Sequence, residues 1–355
     1  MLVTGTVRYR KIKKLGEGHD GLTQVWEAED TLADRVIAVK EIACELFKEY
    51  GQTDFFNEAK AMSASQNRSN VVPIHFSCDC RPDRDVVGIG MPIYPAGSLQ
   101  DRIKNDPLSL REVVRVGLGM LTGLDQIHLN GYLHFDLKPS NILFDDHDNP
   151  MVADFGQAGR LNATTVTAAF PALYAKGAPP ESQVSRPVGS IESDVWGAGL
   201  TLFRAAVGEP DYLASRPPES ELNTAIQKGS FPDLDTLPPH IPQQLRVVLR
   251  QALSVNRKER YSTATEMQSA LAGVRVNLDW VVVTGADCST TWAANRPGQS
   301  ALIVTMTPEA GRWAVQQFTR TLAGETRARE KPTWGAGLTQ KQAAQSLRRI
   351  FRDLE

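Results

Sequence analysis

The 355-residue sequence predicts an α+β protein of two unequal lobes followed by a small α/β module. Three observations carry this reading. Strand-forming segments crowd the first 95 residues, helical periodicity takes over after Ser98, and near Gly273 the pattern resets to strands.

In the first lobe, Val25–Asp30 and Arg35–Glu41 are β-rich segments separated by polar, turn-forming residues around Asp34. Phe55–Ser65 carries Phe56, Ala59 and Met62 at helical spacing, which predicts one helix among the strands. Val71–Cys78 and Asp85–Ile93 read as extended. In the second lobe, Leu110–Asn130 sets Val113, Val114, Val116, Leu121, Leu124 and Ile127 on a helical pattern that stops near Gly131. Ile191–Val207 predicts a second apolar helix. The proline-rich stretches Ala178–Pro187, Pro210–Pro218 and Phe231–Pro242 predict surface loops. In the module, Asp279–Thr284, Thr290–Ala294 and Ala301–Thr307 predict strands. Pro308–Ala323 and Thr339–Leu354 predict helices, with a polar stretch from Gly324 to Gly337 between them.

Composition narrows the class. Apolar residues make up 41% and charged residues 23%, with 39 Lys+Arg against 41 Asp+Glu, which excludes wholesale disorder, a collagenous chain and a disulfide miniprotein. No window reaches the ~18 consecutive apolar residues of a membrane-spanning helix. The first residues lack a charged start followed by an apolar stretch, so a cytoplasmic protein is expected. Cys44, Cys78, Cys80 and Cys288 are then expected to be reduced thiols. Cys78-Asp-Cys80 is too tightly spaced for a zinc knuckle and has no second pair beside it.

The chemistry concentrates in three segments. Leu15-Gly-Glu-Gly-His-Asp-Gly21 joins two strands, and a glycine-rich turn there lets backbone N–H groups approach phosphate oxygens. A plain hairpin turn would read the same way, and the downstream context decides between them. Val36-Ile-Ala-Val-Lys40 ends a strand on a lysine among apolar neighbours, where an ammonium needs an anionic partner. A nucleotide phosphate and Glu58 are the candidates. His134-Phe-Asp-Leu-Lys-Pro-Ser-Asn141 is followed by Asp154-Phe-Gly156. Asp136 can orient an attacking hydroxyl and accept its proton, and Lys138 can neutralise a migrating phosphoryl group. Asn141 and Asp154 offer hard oxygen ligands for Mg²⁺.

Together these segments resemble the eukaryotic-type protein kinase family, in its Ser/Thr branch and its stand-alone bacterial form, from about Tyr9 to Leu271. The resemblance implies a kinase domain over 1–275, with an N-lobe to about 92 and a C-lobe from about 97, and an accessory domain over 276–355. It implies ATP and Mg²⁺ as cofactors, protein substrates, and autophosphorylation. Asp136, Lys138, Lys40 and Glu58 would be catalytic. Leu15, Gly16, Gly18, Val25, Ala38, Lys40, Met91, Tyr94 and Leu143 would bind the nucleotide, Met91 as gatekeeper and Tyr94 through its amide. Asn141 and Asp154 would hold the metal. Asp101 could reach the ribose, Asp194 would anchor the catalytic loop, and Arg260 would pair with Glu181. The other reading is a nucleotide-binding scaffold, a pseudokinase-like interaction protein with little phosphotransfer.

Four departures stand out. The glycine-rich turn is about two residues longer than usual if Val25 caps the adenine. Phe135 replaces an arginine that in many kinases pairs with a phosphate on the activation loop, so control by loop phosphorylation is not expected, although Thr164, Thr165 and Thr167 are available. The segment Ala178-Pro-Pro-Glu181 carries an extra proline, and Tyr174 is displaced relative to it. The last 80 or so residues have no family counterpart.

Those residues carry the charge asymmetry. Residues 277–355 hold ten Lys/Arg against seven Asp/Glu, a net of +3, which leaves −5 on residues 1–276. They also hold four of the six tryptophans. Trp280, Trp292 and Trp313 are expected to build the module's core, and Trp334, in a glycine-flanked loop, is the candidate for an exposed contact with a partner protein. Nucleic-acid binding is not expected at so modest a charge.

Overall fold

Residues Arg35–Ala43 (β3) are buried on both faces from Ile37 to Ile42, as a central strand requires. The computed structural model describes residues 9–18, 21–45, 70–80, 85–155, 158–162, 164, 167–169, 178–183, 188–296, 298–329 and 335–354. The helix expected over 55–65 lies outside them. With Tyr9–Glu17 (β1), Thr23–Asp30 (β2), Phe76–Asp79 (β4) and Val86–Met91 (β5), β3 forms an antiparallel sheet in the order β1-β2-β3-β5-β4. Alternation sends Ile37 and Val39 to an outer layer with Tyr9, Ala28, Phe76, Cys78 and Cys80. Ile42, Val87 and Ile89 belong instead to the main core.

The helical lobe begins with Leu99–Arg102 (α1), held by a capping box from Ser98 and Asp101. Leu110–Leu129 (α2) follows, its N-cap Ser109 accepting from the Glu112 N–H. The apolar stripe of α2 is buried throughout, and it ends at Gly131, whose φ of 80° suits a residue without Cβ. Ile191–Val207 (α3) is buried on nearly every side, which is why its sequence is largely apolar. Glu209–Ser215 (α4), Glu219–Gln227 (α5), Gln243–Ala252 (α6) and Ala264–Ala272 (α7) complete the lobe. Gly117 lets α2 and α7 approach, since a Cβ there would lie 2.5 Å from Leu271 Cδ2.

Two proline-rich stretches are not the surface loops that the sequence predicts. Pro210 sits in the first turn of α4, where its missing N–H has no partner to lose. The stretch at 231–242 buries Phe231, Leu237, His240 and Ile241. What covers part of it is the C-terminal unit.

The helical lobe also carries the short strands Tyr132–Leu133 (β6), Ile142–Phe144 (β7), Pro150–Val152 (β8), Gly159–Arg160 (β9), Ala168–Ala169 (β10) and Val188–Gly189 (β11), and the C-terminal unit is an antiparallel meander of Trp280–Thr284 (β12), Thr290–Ala294 (β13), Ala301–Glu309 (β14) and Arg312–Arg320 (β15). Thr326–Arg329 (β16) and Gly335–Leu338 (β17) both pair with β15. Gln340–Leu354 (α8) lies on one face, burying Ala343, Leu347, Ile350 and Phe351. The helix expected over 308–323 is therefore a strand. Trp313, Val315 and Gln317 alternate with Arg312, Ala314 and Gln316, and the Ala310-Gly311 turn has φ of 49° and 80°, the backbone of a tight hairpin.

The main core runs without interruption from the helical lobe into this unit. At the seam Trp292 donates its indole N–H to His240 Nδ1 at 3.0 Å. Phe351 lies edge-on to Trp280, Trp292 and His240, with ring centroids 5.0, 5.6 and 6.0 Å away. Asp279 accepts from the Ser109 hydroxyl and the Arg111 N–H, placing a carboxylate at the N-terminus of α2. No helix among the described residues is long and apolar enough to cross a membrane.

Candidate active site

The β1–β2 turn opens over the cleft. Gly16 stands opposite Val25, the Gly18 N–H reaches Thr23 O at 2.7 Å, and the Gly21 N–H reaches Gly18 O at 3.0 Å. A Cβ placed at Gly16 or Gly21 would meet nothing within 4 Å, so the turn borders open space. Leu15 is exposed beside it. Val25 pairs with Lys40, and Ala38, two residues before Lys40 on β3, pairs with Met91 at the end of β5, so strand register sets Gly16, Val25 and Lys40 in one row and Ala38 and Met91 in the next row on the same face. Across the cleft, Leu143 lies in Ile142–Phe144 (β7), and Met91, Tyr94 and Leu143 pack partly buried against the core. Burial, with help from the carboxylates of Asp145 and Asp146, pushes the Tyr94 phenol up to about 12.

Lys40 is buried, and its ammonium donates to Asp154 Oδ1 at 2.6 Å. This pairing across the two lobes meets the requirement for an anionic partner. Glu58, its other expected partner, lies outside the described residues. Asp154 adopts a left-handed backbone (φ 63°) while its side chain stays 42% exposed. Phe155, fully buried beside the His134 ring, anchors the turn that aims it.

Asp136 sits on a loop between Tyr132–Leu133 (β6) and β7. Lys138 Nζ donates to Asp136 Oδ2 at 2.6 Å, and Asn141 Nδ2 donates to Asp136 O at 2.8 Å and to its Oδ2 at 3.2 Å. The loop is fixed from below by Asp194 on α3. Asp194 accepts the backbone N–H of His134 at 2.8 Å and of Phe135 at 2.7 Å, and lies 2.8 Å from His128 Nε2. Three partners satisfy a carboxylate that is 1% exposed. Thr201 adds a bond from its hydroxyl to Leu137 O. His128 and Thr201 carry no motif signal; each is one of several polar residues on its helix. Asp101 is engaged locally, its Oδ2 accepting from the Ser98 N–H at 2.9 Å and hydroxyl at 2.6 Å.

Phe135 also has positive φ, 65°, and points into a small apolar cluster with Leu133 and Ala168. Gly159 is the reason it fits, since a Cβ there would lie 2.6 Å from the Phe135 ring. The ring thus ties together Gly159–Arg160 (β9), which pairs with β6, and Ala168–Ala169 (β10), which pairs with Val188–Gly189 (β11). Thr164 and Thr167 lie in the turn between them, the Thr164 N–H reaching Asn162 Oδ1 at 2.9 Å. Thr165 and Tyr174 lie outside the described residues, as does Trp334 of the C-terminal unit. Further on, Arg260 forms two 2.9 Å bonds to the two Glu181 oxygens.

A β-sheet lobe and a helical lobe that share a lysine–aspartate contact beside an Asp–Lys–Asn loop define the architecture of a phosphate-transferring kinase. Comparison with known proteins agrees: residues 9–271 match the protein kinase domain, and the chain belongs to the protein kinase family. It is similar to the probable serine/threonine-protein kinase PknB of Lactococcus lactis, 28% identical over 270 residues. It is also similar to the serine/threonine-protein kinase PrkC of Bacillus subtilis, 26% identical over 265 residues, and to PknK of Mycobacterium tuberculosis, 28% identical over 272 residues. These alignments cover 75%, 74% and 75% of this chain and 42%, 40% and 24% of those proteins. The chain therefore spans less than half the length of these curated relatives, and the family match ends at residue 271, before β12.

Proposed function

We propose that the chain is a serine/threonine protein kinase that transfers the γ-phosphate of Mg-ATP to a protein hydroxyl. The observation that carries this is the arrangement at Asp136, whose carboxylate is held by Lys138 and Asn141 yet stays partly exposed. Asp136 would orient the acceptor hydroxyl and take up its proton. Lys138 would leave Asp136 for the transferred phosphoryl group, neutralising charge as it develops.

The residues suit the nucleotide and its metal. The glycine turn borders unfilled space where backbone N–H groups can meet phosphate oxygens. Asp154 is exposed enough to accept a cation, and Asn141 offers a neutral oxygen on the adjoining segment, its backbone O accepting the Ala153 N–H at 2.9 Å. Mg-ATP would supply the phosphoryl group and part of the charge neutralisation. Lys40, already paired with a carboxylate, would hold phosphate oxygens, with Glu58 as its second expected partner. Val25, Ala38 and Leu143 would clasp the adenine, with Leu15, Gly16 and Gly18 above the phosphates and Met91 and Tyr94 at its edge. Lys138 two residues after Asp136, followed by Pro-Ser-Asn, favours the Ser/Thr branch.

Transfer of labelled phosphate to the chain itself and to a generic protein substrate tests this. Asp136→Asn and Lys40→Ala should each lower incorporation by at least a hundredfold while the fold survives. Unchanged incorporation in either variant would sink the assignment.

A further inference from the structure

The outer layer of the first lobe holds a pair of thiols that the kinase reading does not use. Cys78 and Cys80 are 9% and 5% exposed, and their Sγ atoms lie 3.4 Å apart. The Tyr9 hydroxyl lies 3.6 Å from Cys80 Sγ and donates to Glu41 Oε1 at 2.6 Å. Lys11 closes the group with a 2.6 Å contact to the other Glu41 oxygen. The Cys78 sulfur and the Tyr9 hydroxyl occupy room left by Gly88, where a Cβ would lie 3.0 Å from Cys78 Sγ and 3.2 Å from the hydroxyl oxygen. Glu41 directly follows Lys40, so this cluster backs the strand that reaches Asp154.

We infer that Cys78 and Cys80 form a dithiol that a hydroperoxide closes into an intrachain disulfide. Two residues apart on β4, the cysteines present both sulfurs to one face, already in contact. A metal site of conventional size does not account for them, because among the described residues no three His, Cys, Asp or Glu side chains converge to hold an ion. Bond formation needs the sulfurs to close from 3.4 Å to about 2.05 Å. β4 is an edge strand of its sheet, so tightening at Cys80 perturbs only its link to β5, where the Cys80 N–H reaches Val86 O at 3.1 Å, and no strand on its other side. Fraying of the same edge admits a small oxidant to nearly buried thiols.

The chemistry balances. One thiolate attacks a peroxide oxygen, the O–O bond breaks, and a sulfenic acid forms with release of water or an alcohol. The second sulfur then attacks the first, forming the S–S bond and expelling the sulfenic oxygen as water. Both thiol protons leave in the two hydroxylic products, the two sulfurs are oxidised and the peroxide is reduced. A ring closed over so short a separation is strained, and strained disulfides are the easily reduced ones. The modification is therefore reversible by thiols. Closure draws Cys80 Sγ toward Cys78 and away from the Tyr9 hydroxyl.

The test uses the full chain carrying Cys288→Ser, which removes the exposed thiol. Protein treated with hydrogen peroxide is alkylated in denaturant, digested and weighed. The peptide holding both cysteines should be two hydrogens lighter and unalkylated, and dithiothreitol should return it to the doubly alkylated form. Cys78→Ser should abolish the lighter species. Double alkylation of that peptide after exposure sufficient to oxidise Cys288 in the parent protein would overturn the inference. So would a link from either cysteine to Cys44, or persistence of the lighter species in Cys78→Ser.

Discussion

Replacing Phe351 by alanine tests whether the C-terminal unit and the helical lobe fold as one body. Phe351 is 2% exposed and its ring lies within 6.0 Å, centroid to centroid, of Trp280, Trp292 and His240. Truncating a buried phenylalanine costs about 3–5 kcal/mol, from lost transfer energy plus the cavity left behind. Against a typical stability of about 5–15 kcal/mol, that is a large fraction of the whole. Because the ring touches both parts of a continuous core, the loss should appear in both. The assay is urea unfolding followed by two probes: tryptophan fluorescence, with Trp280 and Trp292 reporting on the seam, and proteolytic cleavage within the helical lobe. Both midpoints should fall together. A fall confined to the fluorescence probe, with the lobe's midpoint unchanged, would refute the single-body reading. On the same grounds, deletion of residues 277–355 should destabilise the helical lobe by exposing His240 and the seam around it. Sparing of generic phosphotransfer is the outcome expected only of a separable module.

His240 provides a pH test. Burial, aided by the Arg246 charge, lowers its pKa from 6.5 to about 3, and it must be neutral to accept the Trp292 N–H. Its contribution is intact above pH 6.5 and falls by about 1.4 kcal/mol per pH unit between 6.5 and about 3, because only the unfolded chain takes up the proton. His240→Gln should flatten that slope by up to one proton in pH-dependent unfolding; an unchanged slope would mean that the imidazole is not the group titrating. Phe135→Ala should speed proteolysis between residues 160 and 190 and lower phosphotransfer, whereas phosphatase treatment of the parent protein should lower it only modestly. A collapse on phosphatase treatment would show that a loop phosphate, and not the ring, orders this segment. Asp194→Asn strips the charge that two backbone N–H groups and His128 share, and should cost about 3–5 kcal/mol with loss of activity, read by calorimetry and by labelled phosphate.

Much of the first two lobes was legible in the sequence because local rules and tertiary demands agree there. The stripe of α2, its serine cap and its glycine stop all point one way, and so do the β-branched runs of β2 and β3. Motif order supplied the candidate site in the same manner, since Asp136, Lys138, Asn141 and Asp154 lie within 19 residues of sequence. Legibility failed where a short segment takes its meaning from a distant partner. Arg312–Arg320 has enough apolar residues for either periodicity, and only the turn at Ala310-Gly311 and the facing strand β14 make it β15. The stretch at 231–242 reads as a loop because its prolines obscure any period, yet its apolar residues are buried in the core shared with the C-terminal unit.

The sequence by itself determined the order of elements, the class of chemistry and the residues able to perform it, because spacing along the chain encodes both periodicity and motif. Tertiary structure decided what spacing cannot encode. It brought Lys40 to Asp154 across 114 residues and Trp292 to His240 across 52. Each of these pairs buries or partly buries a polar group whose desolvation must be offset by a specific partner, and only the packed chain chooses which one. The pattern reset near Gly273 marked out a small separate module, and its place against the helical lobe, through an apolar core and aromatic packing that both share, is something only the folded chain displays.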